Sequence, residues 1–378
     1  MPANIIRYLN DYFVALCFFT TSFLICLSPT LPVCAQSVPS TGPEIEEPIK
    51  IGLLLTESPS ENSLMREAVD VVNLVIKKEN QSGGIHEKPI KLFVKSVDGN
   101  WGIGSKRAVD LIFENGTTAL LGFVDGRSAH LIEQVCTKAQ VPFISMLSTD
   151  PALSRINIPW FFSTMPHAEQ QAKVLVDGIS KNYMNENIAV VSSDDYDQSI
   201  IRRSFLQKIE EENSQIPNVW TYPAGDVNFA QIASGISESD AEVIVFFGSS
   251  NEWDILISQL DFDDIEIPVY TSIIDLNDDQ LQNISNPVFT IRSGNWDSEK
   301  QREFQADFYN MYGYLPGVYS AYLYDGTTAL LEAIRSNGAE SAHIQKELAN
   351  MEISGINGMI SFDILGSTRS TFMISEMP

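Results

Sequence analysis

The residues of this 378-residue sequence that could perform chemistry are few and poorly spaced for catalysis. The four histidines, at positions 86, 130, 167 and 343, are scattered, whereas a helical metal site needs two of them three or four residues apart. No Gly-x-Ser-x-Gly segment marks a hydrolase nucleophile. The sequence therefore predicts a protein that is not an enzyme and that has no metal site and no cofactor.

Other segments share only part of a catalytic motif. Gly99–Lys106 has the glycines of a phosphate-binding loop, but serine precedes the lysine where that motif needs Gly-Lys-Ser/Thr. The adjacent carboxylates at 194–195 and 263–264 are typical of solvated turns rather than of acid–base pairs. Cys136 lies within an amphipathic segment, which predicts a buried structural thiol.

The net charge limits the class of partner. The chain has 49 Asp and Glu against 24 Lys and Arg, a formal charge of −25 at pH 7. Nucleic acid and anionic membrane surfaces would repel such a chain, so we expect neither as a partner. The hydrophobic content of 44% is that of a globular protein. At roughly 150 residues per domain, the length predicts about two domains.

Residues 1–35 have the pattern of a secretory signal. The uncharged apolar run at 13–28 is shorter than the roughly 20 residues that a membrane-spanning helix needs. Val33 and Ala35 supply the small residues that signal peptidase accepts. The sequence therefore predicts cleavage before Gln36 and a location in the periplasm.

Two alternatives stay open at this end of the chain: a lipid anchor at Cys34 and an uncleaved membrane anchor. Val33 is large for the position that precedes a lipidated cysteine. Residues 36–48 are polar and rich in proline, which predicts a flexible leader. Cleavage would leave Cys136 as the one thiol of the secreted chain, so no internal disulfide is expected.

From Ile49 onward, short apolar segments of strand type alternate with longer segments of helical spacing. The predicted strands are 49–56, 90–97, 118–122, 142–145, 188–192, 219–222, 243–247, 269–271 and 288–291. Such alternation indicates βαβ crossovers and parallel sheets buried on both faces. The strands are too many for one compact sheet, so we predict an α/β fold of two doubly wound parallel-sheet lobes.

In open α/β sheets the ligand crevice lies beyond the carboxyl ends of the strands, where helix N-termini favour anionic groups. We expect Ser148 and Thr149 to donate to an anionic or carbonyl group of a ligand, supported by the helix that starts near Arg127. Trp101 and Tyr196 could stack on a planar or apolar part of the ligand. The alternatives are a capped turn at Ser148 and Thr149, and an Arg127 side chain that points into solvent.

Several segments, in order along residues 49–378, resemble the branched-chain amino-acid-binding type of periplasmic binding protein, the solute receptor of ABC importers. The matching segments are Ile49–Leu55, Ser82–Ile85, Pro89–Leu92, Pro142–Ser145, Ser148–Leu153, Thr164–Pro166, Gln170–Ala172, Tyr222–Gly225, Tyr309–Pro316, Tyr319–Asp325 and Gly355–Gly358. The resemblance implies the type I periplasmic binding fold, in which three crossings join two lobes that close about a hinge on a small solute. The implied lobes are 49–165 with about 293–348, and 166–292 with about 349–378.

The resemblance also indicates binding positions. The family's serine after the third strand falls at or near Gly126, its small residue and threonine after the fourth strand match Leu147 and Thr149, and its ammonium-binding aspartate falls at Ala168. A tyrosine of the second lobe resembles Tyr196. With the polar loops included, the candidate ligand-binding residues are Ser58, Trp101, Gly126, Arg127, Ser128, Leu147, Ser148, Thr149, Tyr196, Ser250 and Asp275.

The resemblance implies a monomeric extracytoplasmic protein that captures a small polar organic solute, amino-acid-like or a carboxylate, in the interlobe cleft. It would deliver this solute to the membrane permease of an ABC importer. Because the ammonium-binding aspartate is replaced by Ala168, we expect a solute other than leucine, isoleucine or valine. Two alternatives stay open. The protein could be a ligand-sensing subunit that signals to a membrane kinase or cyclase, or an interaction protein with a degenerate cleft.

Overall fold

The computed structural model describes residues 47–99, 102–155, 158–183, 186–212, 216–226, 228–260, 267–276, 280–281, 286–293 and 298–377. The predicted signal peptide, the predicted leader up to residue 46 and the candidate residue Trp101 lie outside the described residues. Within the part of the chain that the structure describes, none of the helices combines the length and the hydropathy of a membrane span.

The first sheet has five parallel strands in the order β2-β1-β3-β4-β5. Its strands are β1 (Ile49–Leu55), β2 (Ile90–Ser96), β3 (Ala119–Phe123), β4 (Phe143–Ser145) and β5 (Phe161–Ser163). The helices that connect them are α1 (Ser63–Gln81), α2 (Ile103–Val109), which continues into a π-helical turn (Asp110–Glu114), α3 (Gly126–Ala139) and α4 (Ala152–Arg155). Leu53 and Leu55 pack in one hydrophobic core and Leu54 packs in another, so helices cover both faces of β1.

The second sheet has six strands in the order β13-β10-β9-β8-β6-β7. Its strands are β6 (Ile188–Ser193), β7 (Asn218–Tyr222), β8 (Val243–Phe247), β9 (Val269–Thr271), β10 (Val288–Ser293) and β13 (Phe372–Glu376), of which β13 runs antiparallel to β10. The helices that follow in this region are α5 (Ala168–Tyr183), α6 (Tyr196–Glu211), α7 (Ala230–Glu238) and α8 (Ser250–Gln259). The two sheets, parallel except for the edge strand β13, confirm the predicted fold class.

The chain returns to the first sheet before it ends in the second. The returning helices are α9 (Glu299–Tyr312), α10 (Tyr319–Asn337) and α11 (Ser341–Asn350), and the hairpin of β11 (Ile353–Ser354) and β12 (Met359–Ile360) follows them. Phe308, Leu330 and Ile344 of these helices share a hydrophobic core with Leu53. These helices therefore pack on the first sheet, and the lobe boundaries inferred from the sequence stay a prediction.

Candidate functional site

The loops after β3 and β4 of the first sheet face the start of α6, which follows β6 of the second sheet. The carboxylate of Asp197, in the first turn of α6, is where they meet. Its Oδ2 accepts from the backbone N–H of Gly126 at 2.8 Å. Its Oδ1 accepts from the Thr149 N–H at 3.1 Å and from the hydroxyls of Thr149 and Ser148, each at 3.3 Å. Hydrogen bonds to one acid therefore join loops of the two sheets.

This acid was not among the candidate residues. Ser148 and Thr149 were expected to donate to an anionic group of a ligand, and in the structure they donate to a carboxylate of the chain itself. Asp197 lies in the first turn of α6, which follows β6, and directly follows the candidate Tyr196. Nothing in its local sequence distinguishes it from the neighbouring acids Asp194 and Asp195.

Burial penalises the ionised form of Asp197 and raises its pKa to about 6. The nearby carboxylates of Asp195 and Asp125 act in the same direction, whereas the hydrogen bonds from Gly126 and Thr149 oppose the shift. Asp195 also caps α6 by accepting from the Asp197 N–H at 3.0 Å and the Gln198 N–H at 3.3 Å. This cap fixes the backbone of the turn in which Asp197 lies.

A second hydrogen-bonded group lies beside the first. The Tyr196 hydroxyl donates to Oδ2 of Asp150 at 2.7 Å, and Nε2 of His130 lies 2.9 Å from the same oxygen. Burial opposes ionisation of Asp150, but the hydrogen bonds from His130, Tyr196 and the Ala152 N–H outweigh it and lower its pKa to about 2. The hydrogen bond to Asp150 raises the pKa of His130 in turn.

Arg127 takes the solvent-facing orientation that was considered from the sequence. Its side chain is exposed, and its guanidinium lies over the ring of Tyr196, 5.6 Å from the ring centre. This is the geometry of a cation–π contact. Ser128 is occupied by the cap of α3, because its N–H and hydroxyl bind the Asp125 carboxylate at 2.9 and 3.0 Å.

A cavity of about 350 Å³ lies next to Asp197 and is lined by loops of both sheets. Leu147 and Thr149 line it from the first sheet, and Gln198 lines it from the second. Other apolar lining residues are Leu64, Met65, Met165, Ile201, Ile273 and Tyr319. The charged lining residues are Glu57, Asp125, Asp195 and Asp197, and the described lining contains no Lys, Arg or His.

A second cavity, of about 420 Å³, adjoins the first, since Leu64, Ser249 and Tyr319 line both. The candidates Ser250 and Asp275 lie here. Oδ1 of Asp275 accepts from the Val318 N–H at 3.0 Å, just before α10. Burial raises the pKa of Asp275.

Glu67, a buried acid of α1, also lines this second cavity. Oε1 of Glu67 accepts from the Gly317 N–H at 2.9 Å and from the Ser320 hydroxyl. Burial raises the pKa of Glu67. Like Asp197, this acid was not found from the sequence, because its partners lie about 250 residues away along the chain.

The candidate residues therefore lie in different parts of the site. Leu147 and Thr149 line the first cavity, Ser250 and Asp275 line the second, and Gly126, Ser148 and Tyr196 take part in the bridge between the two sheets. Ser58 does not line either cavity, and its hydroxyl lies 2.8 Å from that of Ser60. Whether these residues bind a solute stays a prediction.

Groups for metal or thiol chemistry are not assembled in the described ranges. Among those residues, no three His, Cys, Asp or Glu side chains are grouped so that they could hold a metal ion. The free thiol of Cys136 is buried inside α3, and burial raises its pKa. This burial confirms the structural position expected for Cys136 from the sequence.

Comparisons with known proteins agree with this architecture. The family model described as periplasmic binding protein matches residues 48–372. A branched-chain amino acid transporter substrate binding protein from Streptococcus pneumoniae, solved in complex with isoleucine, has 22% sequence identity and a TM-score of 0.75, covering 88% of this chain and 96% of that one. A solute binding protein of an ABC transporter from Rhodopseudomonas palustris, solved with 3,4-dihydroxybenzoic acid, has 20% identity and a TM-score of 0.77, covering 87% and 93%.

A curated relative is matched over a shorter stretch. Glutamate receptor 3.7 of Arabidopsis thaliana is 30% identical over 116 residues, which is 31% of this chain and 12% of the receptor. The chain therefore spans a small part of that receptor's length. The similarity concerns a segment and not the whole receptor.

Proposed function

Because this chain belongs to the periplasmic binding protein family, we propose that it captures a small polar organic solute in the cleft between its two sheets. The observation that carries the proposal is the cavity of about 350 Å³, whose walls come from the strand-end loops of both sheets. A volume of this order suits a small-molecule ligand. Two walls from different sheets would allow the cleft to close on its solute by a hinge motion.

We propose a solute other than leucine, isoleucine or valine. The two solved relatives were crystallised with isoleucine and with 3,4-dihydroxybenzoic acid, so a similar fold accompanies different solutes in the two proteins. In this chain Ala168 stands where the resemblance implies an ammonium-binding aspartate. Ala168 is fully buried and its N–H donates to the Thr149 carbonyl at 2.7 Å. A charged ammonium group would find no carboxylate at this position.

We further propose that the protein is exported, processed before Gln36, and that it delivers its solute to the permease of an ABC importer. The support is the apolar segment at 13–28 with its cleavage pattern, together with membership of the family. Intact-mass measurement of the exported protein tests the processing step. A mass that includes residues 1–35, or a diacylglyceryl addition on Cys34, would contradict it.

Solute binding is tested by a thermal-shift screen of the exported protein against amino acids, amides, polyols, amines and small carboxylates. A solute at 100 times its dissociation constant should stabilise the fold by about 2.7 kcal/mol. Leu64→Trp places a large side chain where both cavities are lined and should abolish the shift. Leu315→Trp is the matched control, because Leu315 is 68% exposed and lines neither cavity. Equal thermal shifts in both variants would contradict binding of the solute in this cavity.

A further inference from the structure

The donors around Asp197 have the form of a site for a free carboxylate. They come from two separate loops, and the Gly126 N–H is the first of α3, a helix of 14 residues whose dipole favours negative charge. Both oxygens of the Asp197 carboxylate are used, Oδ2 by Gly126 and Oδ1 by Ser148 and Thr149. Several donors on one carboxylate are the arrangement expected for recognition of an anion. Here the anion is covalently part of the chain.

Gly126 makes room for this internal anion. A Cβ at position 126 would lie 2.7 Å from Cε1 of Tyr196 and 3.1 Å from both Oδ1 of Asp197 and the Ser148 hydroxyl. Any side chain there would push the start of α6 away from the loops of the first sheet. The cap by Asp195 fixes the same turn from the other side. Both sheets are therefore shaped to bring Asp197 onto these donors.

The adjoining cavity is unfavourable to a second carboxylate. Asp197 contributes to its wall together with Glu57, Asp125 and Asp195. Arg127, an exposed cation beside these loops, lies over the Tyr196 ring and does not line this cavity, and Arg66 lines the second cavity and not this one. A solute carboxylate would have to displace Asp197 from its donors and then lie among the other three acids. Like charges repel one another more strongly where they are partly buried than in water.

We propose that Asp197 determines solute specificity: it occupies the donor cluster of Gly126, Ser148 and Thr149 and so excludes solutes that bind through a carboxylate. The solutes that remain are neutral or cationic and present N–H or O–H donors to Asp197 and its neighbours. This choice of solute rests on the proposed function and narrows it. The occupation of the donor cluster is independent of that function and can be tested without knowing the solute.

The first test is chemical rescue of Asp197→Ala by acetate, with Tm as the measurement. Removal of the carboxylate leaves the donors of Gly126, Ser148 and Thr149 without a partner, and acetate supplies one. We expect acetate at about ten times its dissociation constant to raise the Tm of Asp197→Ala by about 2 to 4 °C relative to sodium chloride of equal ionic strength. Wild type and Asp197→Asn, which keep the space filled, should show no such difference.

A variant that fails to fold in chloride still gives an answer. Asp197→Ala should then be recovered when it is refolded in acetate but not in chloride. Failure to recover in acetate, absence of any acetate effect on a folded Asp197→Ala, or an equal effect on wild type would each overturn the assignment of the donor cluster.

The second test compares each carboxylate with its amide by calorimetric titration, using leucine with leucinamide and benzoate with benzamide. We expect neither leucine nor benzoate to bind wild type, and Asp197→Ala to gain at least tenfold in affinity for one of these carboxylates. Micromolar binding of leucine or benzoate to wild type would overturn the inference while it supports solute binding. If no compound of the wider screen binds wild type, the proposed function fails, and the acetate result still decides the role of Asp197.

Discussion

Replacement of Asp197 by asparagine tests whether an ionisable carboxyl group is held in the bridge between the two sheets. Burial raises the pKa of this group from 3.8 to about 6. Because the pKa is higher in the folded state, the protonated form stabilises the fold. This contribution is fully present below pH 3.8 and is lost as the pH rises through about 6. The pKa difference corresponds to roughly 3 kcal/mol, of which about 2 kcal/mol is lost between about pH 4 and pH 7.

Urea unfolding of wild type and Asp197→Asn from pH 4 to pH 8 measures this loss directly. The free energy of unfolding of wild type should fall by about 2 kcal/mol relative to that of the variant over this range. Any constant offset from altered hydrogen bonding leaves this slope unchanged. The charge of Asp197 also contributes to the raised pKa of His130, so His130 is titrated by NMR in both proteins and its contribution is subtracted. The control Asp177→Asn changes an exposed carboxylate on α5 and should follow wild type in parallel. Parallel profiles of wild type and Asp197→Asn would refute the reasoning.

Three further predictions concern the same loops. Gly126→Ala should destabilise the fold by about 1 to 3 kcal/mol in urea unfolding, because the new methyl group meets Tyr196, whereas Gly104→Ala, whose Cβ would find nothing closer than 3.5 Å, should not. Asp150→Asn should lower the pKa of His130 towards 6.5 in an NMR titration, since the hydrogen bond to Asp150 raises it; an unchanged titration would contradict the contact. Tyr196→Phe should lower the free energy of unfolding by about 1 kcal/mol through loss of its bond to Asp150, and no loss would show that water replaces it.

The alternation of apolar strand-type segments with segments of helical spacing was sufficient to predict most of the strands of the fold. Each of the nine predicted strands overlaps a strand of the structure, because a parallel strand covered on both faces is apolar along its length, as in β8. The three-residue β5 was not predicted, although β9, which has the same length, was. The edge strand β13 was also missed. It is partly exposed along its length, and it pairs antiparallel with β10, about 80 residues earlier in the chain.

The sequence indicated the donors Ser148 and Thr149 and the acid Asp275, but not the acid Asp197 to which these donors bind. Ser148 and Thr149 could be identified because hydroxyls and free N–H groups at a strand end indicate anion binding, and this signal does not depend on the rest of the chain. Their partner could not be identified, because Asp197 lies 48 residues from Thr149 and 71 from Gly126, on a helix of the other sheet. Only the packing of the two sheets determines which acid of the loop faces these donors. The local sequence shows which residues could donate hydrogen bonds. Which acid accepts them across the cleft can be known only from the three-dimensional fold.

Native mass spectrometry of the exported protein, mixed with an extract of small metabolites, tests solute binding in the cleft most directly. We predict a single solute bound one to one by wild type and by the surface control Leu315→Trp, and absent from Leu64→Trp, whose new side chain fills the cavity. Tandem fragmentation of the released solute should identify a compound without a carboxylate. Wild type that binds no solute, or Leu64→Trp that retains the same one, would contradict binding in this cavity.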